Sequence, residues 1–204
     1  MHSPDPTWDA TAELRLAGDP SVRTPAQASS DAPPKLAFEQ VYAQHYRFVW
    51  RVLRARGLPA AAVDDAVQDV FVVVHRRLPD FDGRHGIRTW LFRIASWVVA
   101  HERRRFRTTR GHEPIEDVSI SDAGPGPFEM AARSQAIRTL ERMLTRMDEE
   151  KRIVFVLMDV EEMKAHEVAD LLSINVNTVY SRLRLAREQL RRLREDAGHE
   201  RSEP

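Results

Sequence analysis

The spacing of apolar residues predicts a chain built from helices. Apolar residues recur every three or four positions over residues 38–56, and Gly57 and Pro59 then end the pattern. Similar spacing predicts a second helix over about 60–78 and a third over about 89–107. The alternation of apolar and polar residues that predicts strands is nearly absent. We therefore expect an all-α fold.

Single residues indicate where several helices begin. Thr89 is a good N-cap for the third helix, and the turn-rich residues 79–88 separate that helix from the second. Further along, a helix is expected over about 130–145, and Asp148 is the expected N-cap of the next one. The inward side of this next helix is expected to carry Ile153, Val154, Leu157 and Val160.

Residues 162–193 contain two predicted helices joined by a break at Ser173–Asn175, with Asn175 as the N-cap of the second. This arrangement is typical of a helix-turn-helix, which places its second helix in the major groove of DNA. One buried stripe is expected along the second helix, formed by Val179, Leu183, Ala186, Leu190 and Leu193. An amphipathic helical hairpin with a solvated arginine face gives the same pattern, so both interpretations stay open.

The distribution of charge favours nucleic acid, although the 31 basic and 31 acidic residues of the 204-residue chain cancel. Five arginines fall within residues 101–110 and six within 182–194. The balancing acidic residues lie elsewhere, notably within 113–122, where there is no Lys or Arg. Segregated basic patches attract phosphates whatever the total charge.

The chain lacks the residues that several function classes need. It has no cysteine, so disulfides, thiolate zinc sites and cysteine nucleophiles are excluded. We find no catalytic set, metal site, cofactor motif or phosphate-binding glycine loop. No apolar run approaches the roughly 18 residues that a membrane helix needs, and no signal pattern is present. We expect a soluble cytoplasmic protein without membrane insertion.

Aromatic and basic residues are interleaved along the predicted third helix. Aromatic faces stack on unpaired bases and arginines hold the adjoining backbone, so this mixture suits single-stranded DNA. The alternative is that Trp90 and Trp97 simply pack in the core. A separate apolar stripe leaves an aromatic side available, and that stripe consists of Leu91, Ile94, Ala95 and Val98.

A second surface is predicted on the helix over residues 60–78. Its outward positions include Asp65, Gln68, Asp69 and Val72. Charged helix positions usually form a solvated face, and the pattern alone favours that interpretation. An apolar Val72 among polar neighbours also fits a docking strip for a partner's helices.

Composition divides the chain into two helical domains and three other segments. Residues 1–34 are rich in Pro, Ser, Ala, Asp and Thr and are expected to form a disordered extension, and 197–204 a disordered tail. Residues 111–128 combine Gly, Pro, Ser and acidic residues, as an interdomain linker does. The helical domains then cover residues 35–110 and 129–196.

The order of these motifs resembles one known family. The segments FEQVYAQHYRFVWRVLRARG, DDAVQDVFVVVHRRLPDF and RTWLFRIA resemble region two of bacterial RNA polymerase sigma factors. The segment LTRMDEEKRIVFVLMDVEEMKAHEVADLLSINVNTVYSRLRLAREQL resembles region four. A short acidic linker between the two regions is typical of the extracytoplasmic-function (ECF) subfamily. The resemblance covers about residues 36–194 and implies a transcription initiation factor that is not an enzyme.

The resemblance implies three sets of functional residues. The set that docks on the coiled coil of the polymerase β′ subunit is Asp65, Gln68, Asp69, Val70, Phe71 and Val72. The set that captures the melted minus-ten strand, with the loop before it, is Arg88, Trp90, Arg93, Ile94, Trp97 and Arg104. The set that reads the minus-thirty-five duplex is Asn177, Thr178, Tyr180, Ser181, Arg182, Arg184 and Arg187.

The resemblance also implies partners, which are core RNA polymerase (including its β flap), promoter DNA and an anti-sigma factor. Some positions depart from the family pattern. Ser96 and Trp97 stand where the family often has Arg-Asn, so base preferences at the minus-ten element are not carried over. Ser173, Lys164 and Tyr180 replace a usual turn glycine, a capping serine and a frequent lysine.

Two other functions fit parts of the sequence. One is a polymerase-independent helix-turn-helix regulator with an N-terminal helical sensing domain. Loss of polymerase binding on replacing Asp69 and Phe71 would separate a sigma factor from this rival. The other is a DNA-processing enzyme that uses Asp80, Asp82 and a metal, although paired acids in a loop more often make turn hydrogen bonds.

Overall fold

The computed structural model describes residues 36–109 and 139–199, with side chains over 36–105 and 139–196. All secondary structure within these ranges is helical, which confirms the all-α expectation. The predicted extension over residues 1–34 and the predicted linker over 111–128 lie outside the described residues. The last helix ends at His199, three residues into the predicted tail.

Three α-helices lie within residues 36–109. Helix α1 spans Phe38–Ala55 and α2 spans Ala60–Arg77, so the predicted bounds of both are confirmed to within one residue. A short 3-10 helix, Leu78–Asp80, follows α2. Helix α3 spans Ile87–Thr109.

Helix α3 begins two residues before its predicted N-cap. The carbonyl oxygen of Gly86 accepts hydrogen bonds from the backbone N–H groups of Thr89 at 2.9 Å and Trp90 at 3.2 Å. A carbonyl that accepts the first helical bonds belongs to the N-cap residue, so Gly86 holds that position and the prediction for Thr89 was wrong. Thr89 lies instead inside the first turn.

Residues 139–199 contain three α-helices, one π-helix and a short helical segment over residues 139–145. Helix α4 spans Glu149–Phe155 and continues directly as a π-helix, Val156–Val160. Helices α5, Ala165–Leu172, and α6, Val176–His199, complete this range. Both α4 and α5 pack against α6. The buried residues of this packing include Ile153, Val154, Leu157, Val168, Val179, Leu183 and Ala186.

The π-helix was not predicted, and it changes which side chains face inward. The backbone N–H of Glu161 donates to the carbonyl oxygen of Val156 at 2.9 Å, five residues back rather than four. The extra residue moves the following positions off the α-helical register. Ile153, Val154 and Leu157 are buried as expected, but Val160 is exposed. The inward prediction for Val160 was therefore wrong.

Asp148 precedes α4 as predicted, but its side chain does not cap the helix. Its carboxylate accepts a hydrogen bond from Lys151 Nζ at 2.6 Å. This bond holds the pKa of Asp148 below its ordinary value of 3.8. The neighbouring lysine therefore replaces the backbone N–H groups as the partner of the carboxylate.

By their contacts, the described residues form two compact units. Residues 36–49 and 65–109 belong to the first, and residues 50–64 and 139–199 to the second. The first unit is centred on α3, whose buried residues are Trp90, Leu91, Phe92, Ile94, Ala95, Trp97, Val98 and Val99. These positions cover almost the whole circumference of α3, and a helix that is apolar all round is buried.

Candidate nucleic-acid interface

Helices α5 and α6 form the predicted helix-turn-helix, joined by residues 173–175. Helix α5 ends in a left-handed residue, Ser173, with φ 54° and ψ 45°. The backbone N–H of Ile174 then donates to the carbonyl oxygen of Ala169 at 3.0 Å. Asn175 caps α6, because its Oδ1 accepts the backbone N–H of Asn177 at 2.8 Å. The N-cap prediction for Asn175 is confirmed.

The predicted division of α6 into a buried and an open face is also confirmed. Val179, Leu183 and Ala186 are buried, and Leu190 and Leu193 are half-buried. Thr178 is half-buried at the edge. The residues that point to solvent in the first three turns include Asn177, Tyr180, Ser181 and Arg184. Polar side chains in these turns are the ones that reach base edges in helix-turn-helix proteins.

Three arginines of α6 were predicted to contact the minus-thirty-five duplex, and each lies near an acidic group of the same unit. Arg182 Nη2 donates to Glu150 Oε2 at 2.5 Å. Arg187 donates to both carboxylate oxygens of Asp159, and these hydrogen bonds raise the pKa of Arg187 further above its ordinary value. Arg184 is mostly exposed, and its Nη1 lies 3.8 Å from Glu188 Oε2.

The tryptophans predicted to contact the melted strand are buried. Trp90 is 3% exposed and Trp97 is 8% exposed, and Ile94 is buried beside them. The ring of Trp90 lies 5.0 Å from that of Phe81, and Trp97 stacks on His101 at 5.8 Å. The expectation that α3 keeps an aromatic side available is therefore wrong for residues 87–105, and Phe106 lies outside the described side chains. The core interpretation holds because apolar residues surround the helix rather than line one stripe.

Within residues 87–105 of α3, basic residues rather than aromatic ones form the open surface. Arg103, Arg104 and Arg105 are exposed, and Arg93 is half-exposed. Arg88 is half-exposed with its guanidinium 5.0 Å from the centre of the Phe48 ring. The structure thus brings part of the predicted minus-ten set to the surface and places the rest beneath it.

The loop before α3 is built around Asp82. Its Oδ1 accepts the backbone N–H of Arg84 at 3.1 Å, and its Oδ2 lies 3.3 Å from Arg84 Nε. Residues 83–86 are exposed. Asp82 therefore makes the turn hydrogen bond that the sequence favoured over a metal site, and within the described side chains no cluster of acids and histidines could hold a metal ion.

The predicted docking strip on α2 is partly a surface and partly core. Asp65, Gln68 and Val72 are exposed and Asp69 is half-buried, which agrees with the outward pattern. Val70 and Phe71 are buried. The ring of Phe71 lies 4.7 Å from that of Tyr42 and 6.3 Å from that of Phe38. Val70 and Phe71 therefore support the strip from beneath.

Asp69 lies in an unfavourable electrostatic environment. Partial burial raises its pKa above the ordinary 3.8, and the negative charges of Glu102 and Asp65 raise it further. Arg105 and His101 lower it by a smaller amount. Glu102 is buried, and its Oε1 lies 3.0 Å from Arg105 Nη1. A carboxylate held at this cost on an open surface is a candidate for a functional role.

Comparison with protein families identifies two regions of the chain. The family model for Sigma-70 region 2 matches residues 41–111, and the model for Sigma-70, region 4 matches residues 137–190. The chain therefore contains both regions of a two-region sigma factor, and region 2 includes residues 50–64 of the second compact unit. None of the described helices is both long and apolar enough to cross a membrane.

Curated relatives refine this result. The chain is 33% identical over 177 residues to the RNA polymerase sigma factor NccH of Alcaligenes xylosoxydans xylosoxydans, covering 84% of this chain and 94% of NccH. It is 30% identical over 171 residues to the ECF RNA polymerase sigma factor SigM of Mycobacterium tuberculosis, covering 81% of each. The chain belongs to the ECF RNA polymerase sigma factors. It directs RNA polymerase to start transcription at specific promoters, and sigma factors are not enzymes.

Two solved structures are similar to this chain. The structure of CnrH in complex with the cytosolic domain of CnrY has a TM-score of 0.54 and 30% identity, covering 78% of this chain and 88% of that one. The sigma factor RpoE of Bartonella quintana, in complex with the anti-sigma factor NepR, has a TM-score of 0.62 and covers 78% of this chain and 96% of that one. At 20% identity, RpoE supports the fold alone.

Proposed function

We propose that this ECF sigma factor contacts core RNA polymerase and promoter DNA through three separate surfaces. The exposed strip of α2 docks on the polymerase β′ coiled coil. The basic surface of α3 and the loop before it hold the melted minus-ten strand. The open face of α6 reads the minus-thirty-five duplex. These surfaces lie within the predicted domains, residues 35–110 for region two and 129–196 for region four.

The observation that carries the proposal is the open face of α6. Asn177, Tyr180, Ser181 and Arg184 share the side opposite the buried Val179. Asn and Arg side chains can form paired hydrogen bonds with base edges in the major groove, and an exposed ring can contact a thymine methyl group. A face with these groups at the start of a capped helix is suited to sequence-specific contact with duplex DNA.

The α2 strip supports polymerase docking. It places an exposed apolar side chain, Val72, one turn from Gln68 and Asp69. Apolar contact surrounded by polar groups is common at protein interfaces. Val70 and Phe71 contribute by fixing the helix from below, so they are supporting residues and not contact residues.

The minus-ten surface is proposed in a revised form. The exposed Arg103 and Arg104, with Arg93 and the loop over residues 83–86, contact the backbone and bases of the melted strand. Trp90, Ile94 and Trp97 are buried in α3, so in this proposal they support the surface and do not contact the strand. Arg88 completes this set.

An anti-sigma factor is proposed as a regulatory partner, and the polymerase β flap as a contact of region four. CnrH was solved with the cytosolic domain of CnrY, and RpoE with the anti-sigma factor NepR. The similarity of CnrH, at 30% identity, supports a comparable partner for this chain.

Start-site mapping tests the function as a whole. The full chain would be combined with core RNA polymerase on genomic DNA fragments, and transcripts would be sequenced from their 5′ ends. We expect starts that depend on the chain and share an upstream sequence motif. The absence of any dependent start would contradict the proposal.

Surface variants then separate docking from DNA contact. Val72→Asp should reduce co-elution with core polymerase at least tenfold, because it introduces a charge into an apolar contact. Asp64→Ala, on the same helix and exposed, is the matched control and should co-elute normally. Arg184→Ala should leave co-elution unchanged and reduce transcription. A chain that binds its DNA but never binds polymerase would instead be the independent regulator.

A further inference from the structure

Two ion pairs connect α6 to the helix that precedes the helix-turn-helix. Arg182 pairs with Glu150 in α4, and Arg187 pairs with Asp159 in the π-helix. The two arginines are five residues apart, which separates them by about 140° around α6. They therefore lie on opposite flanks of the helix, with the buried stripe between them.

The two pairs present opposite charges to solvent. In the first, the Arg182 side chain is 23% exposed and that of Glu150 is 71% exposed. In the second, the Arg187 side chain is 61% exposed and that of Asp159 is 22% exposed. The outer group is thus a carboxylate on one flank and a guanidinium on the other. Only the Arg187 flank suits a phosphate.

The geometry of the second pair also leaves donors available. Arg187 uses Nε to bind Asp159 Oδ2 at 2.8 Å and Nη2 to bind Oδ1 at 2.6 Å. A guanidinium has five N–H donors, so three remain, including both on Nη1. Two parallel bonds fix the plane of the group, whereas a single bond, as in the Arg182 pair, does not.

The backbone at Asp159 provides an independent observation. Asp159 belongs to the π-helix, and this rare hydrogen-bonding pattern occurs frequently at functional sites. It places Asp159 against α6, 28 residues away in sequence. Exposed ion pairs contribute little to stability, so stability alone does not account for the arrangement.

We propose that Asp159 is a positioning residue that holds the guanidinium of Arg187 with its free edge outward, as a fixed contact for a DNA phosphate beside the minus-thirty-five element. The inference rests on the proposed function of α6. An arginine ordered before binding loses less side-chain freedom when the complex forms. Asp159 would then strengthen DNA binding although it carries the same sign of charge as the phosphate.

The test measures binding of holoenzyme, formed from the full chain and core polymerase, to a fluorescent promoter fragment chosen by start-site mapping. Asp159→Ala and the isosteric Asp159→Asn should both weaken binding, by about three- to tenfold for the alanine variant. Arg187→Ala should also weaken it and lower the slope of log affinity against log salt by about one. Adding Asp159→Ala to Arg187→Ala should have no further effect, since the residue acts through the arginine.

Glu150→Ala is the matched control, because it removes one negative charge from the equivalent pair on the other flank. It should cause no loss of affinity and leave the salt slope unchanged. The proposal is overturned if Asp159→Ala binds as tightly as the wild type or more tightly, since the carboxylate then only repels DNA. It is also overturned if Glu150→Ala causes an equal loss.

Failure of the inference differs from failure of the proposed function. If Arg187→Ala binds normally while Arg184→Ala is weakened, α6 still reads DNA and only the role of Asp159 is wrong. If neither arginine variant changes binding, the proposed α6 interface itself fails.

Discussion

Gly57 and Ser173 occupy the same position of the same helix-ending motif. Gly57 follows α1 with φ 88° and Ser173 follows α5 with φ 54°. After each, a backbone N–H bonds to the carbonyl five residues earlier, from Leu58 to Leu53 at 3.2 Å and from Ile174 to Ala169 at 3.0 Å. Glycine adopts this left-handed conformation freely, whereas serine has a Cβ that disfavours it.

We therefore expect Ser173→Gly to stabilise the region-four unit. Removing the serine Cβ relieves the steric cost of the left-handed conformation. The greater freedom of glycine in the unfolded chain offsets part of this effect, so the free energy of unfolding should rise by about 0.5–1 kcal/mol. Urea unfolding of the full chain, followed by circular dichroism, measures it. The matched control is Ser181→Gly within α6, which should destabilise by about 0.5 kcal/mol. Destabilisation by both changes would contradict this explanation.

The N-terminus of α5 lacks a side-chain cap, and a serine should supply one. Lys164 holds the N-cap position with extended backbone, but its ammonium group can only donate hydrogen bonds. Its backbone N–H already donates to Glu167 Oε2 at 2.9 Å, which is half of a capping box. Lys164→Ser should complete the box and raise the free energy of unfolding by about 1 kcal/mol.

Thermal unfolding measures this effect as the gain of Lys164→Ser over the wild type and, for the double variant Lys164→Ser, Glu167→Ala, as the gain over Glu167→Ala alone. The gain should shrink in the double variant, because the reciprocal bond from Glu167 is lost. An equal gain in both would show that removal of the lysine charge, and not capping, is responsible.

The sequence predicted features that depend on neighbouring residues. The cap at Asn175 and the stripe of Val179, Leu183 and Ala186 follow from local hydrogen bonding and helical period, and both are present. Core packing of Trp90 and Trp97 was one of two interpretations left open, because a single apolar stripe was assigned to α3, although apolar residues surround it. Counting buried-type residues around the whole helix would have indicated a central position.

Two other features could not be predicted from the spacing of apolar residues. The bond between Asp159 and Arg187 joins side chains 28 positions apart and follows no helical period. The π-helix at Val156–Val160 is a shift of hydrogen-bond partner that the apolar spacing does not encode.

Substitutions in α3 should distinguish core tryptophans from surface arginines. Trp90→Ala should lower the free energy of unfolding by about 3–5 kcal/mol, because it removes a buried aromatic side chain. Arg104→Ala, at an exposed position, should change it by less than about 0.5 kcal/mol while weakening binding of holoenzyme to promoter DNA melted at the minus-ten element. Chemical denaturation and fluorescence anisotropy measure the two effects. A Trp90→Ala variant of normal stability would contradict the core assignment.

Asp69 connects the stability of region two with the proposed polymerase-docking strip. Because its pKa is raised in the folded state, the unfolded chain loses the Asp69 proton first as pH increases. Ionisation of Asp69 therefore lowers the free energy of unfolding as pH rises from 3.8 to the folded pKa. This decrease is complete above the folded pKa and absent below 3.8. Asp69→Asn should stabilise the fold at pH 7, by less than about 1 kcal/mol because solvent screens this half-buried group. The difference should vanish as pH falls toward 3.8.

The same substitution should weaken binding to core polymerase, since the proposed strip would lose a charged contact. Urea unfolding at several pH values measures the effect of Asp69→Asn on stability, and co-elution with core polymerase measures its effect on binding. Glu102→Gln should lower the pKa of Asp69 toward its ordinary value, because it removes the strongest nearby negative charge, and carboxyl NMR titration follows this. Asp64→Asn, an exposed neighbour, should change neither stability nor binding. If Asp69→Asn destabilises the fold at pH 7, the carboxylate is a structural contact and its proposed role on the docking surface loses its physical basis.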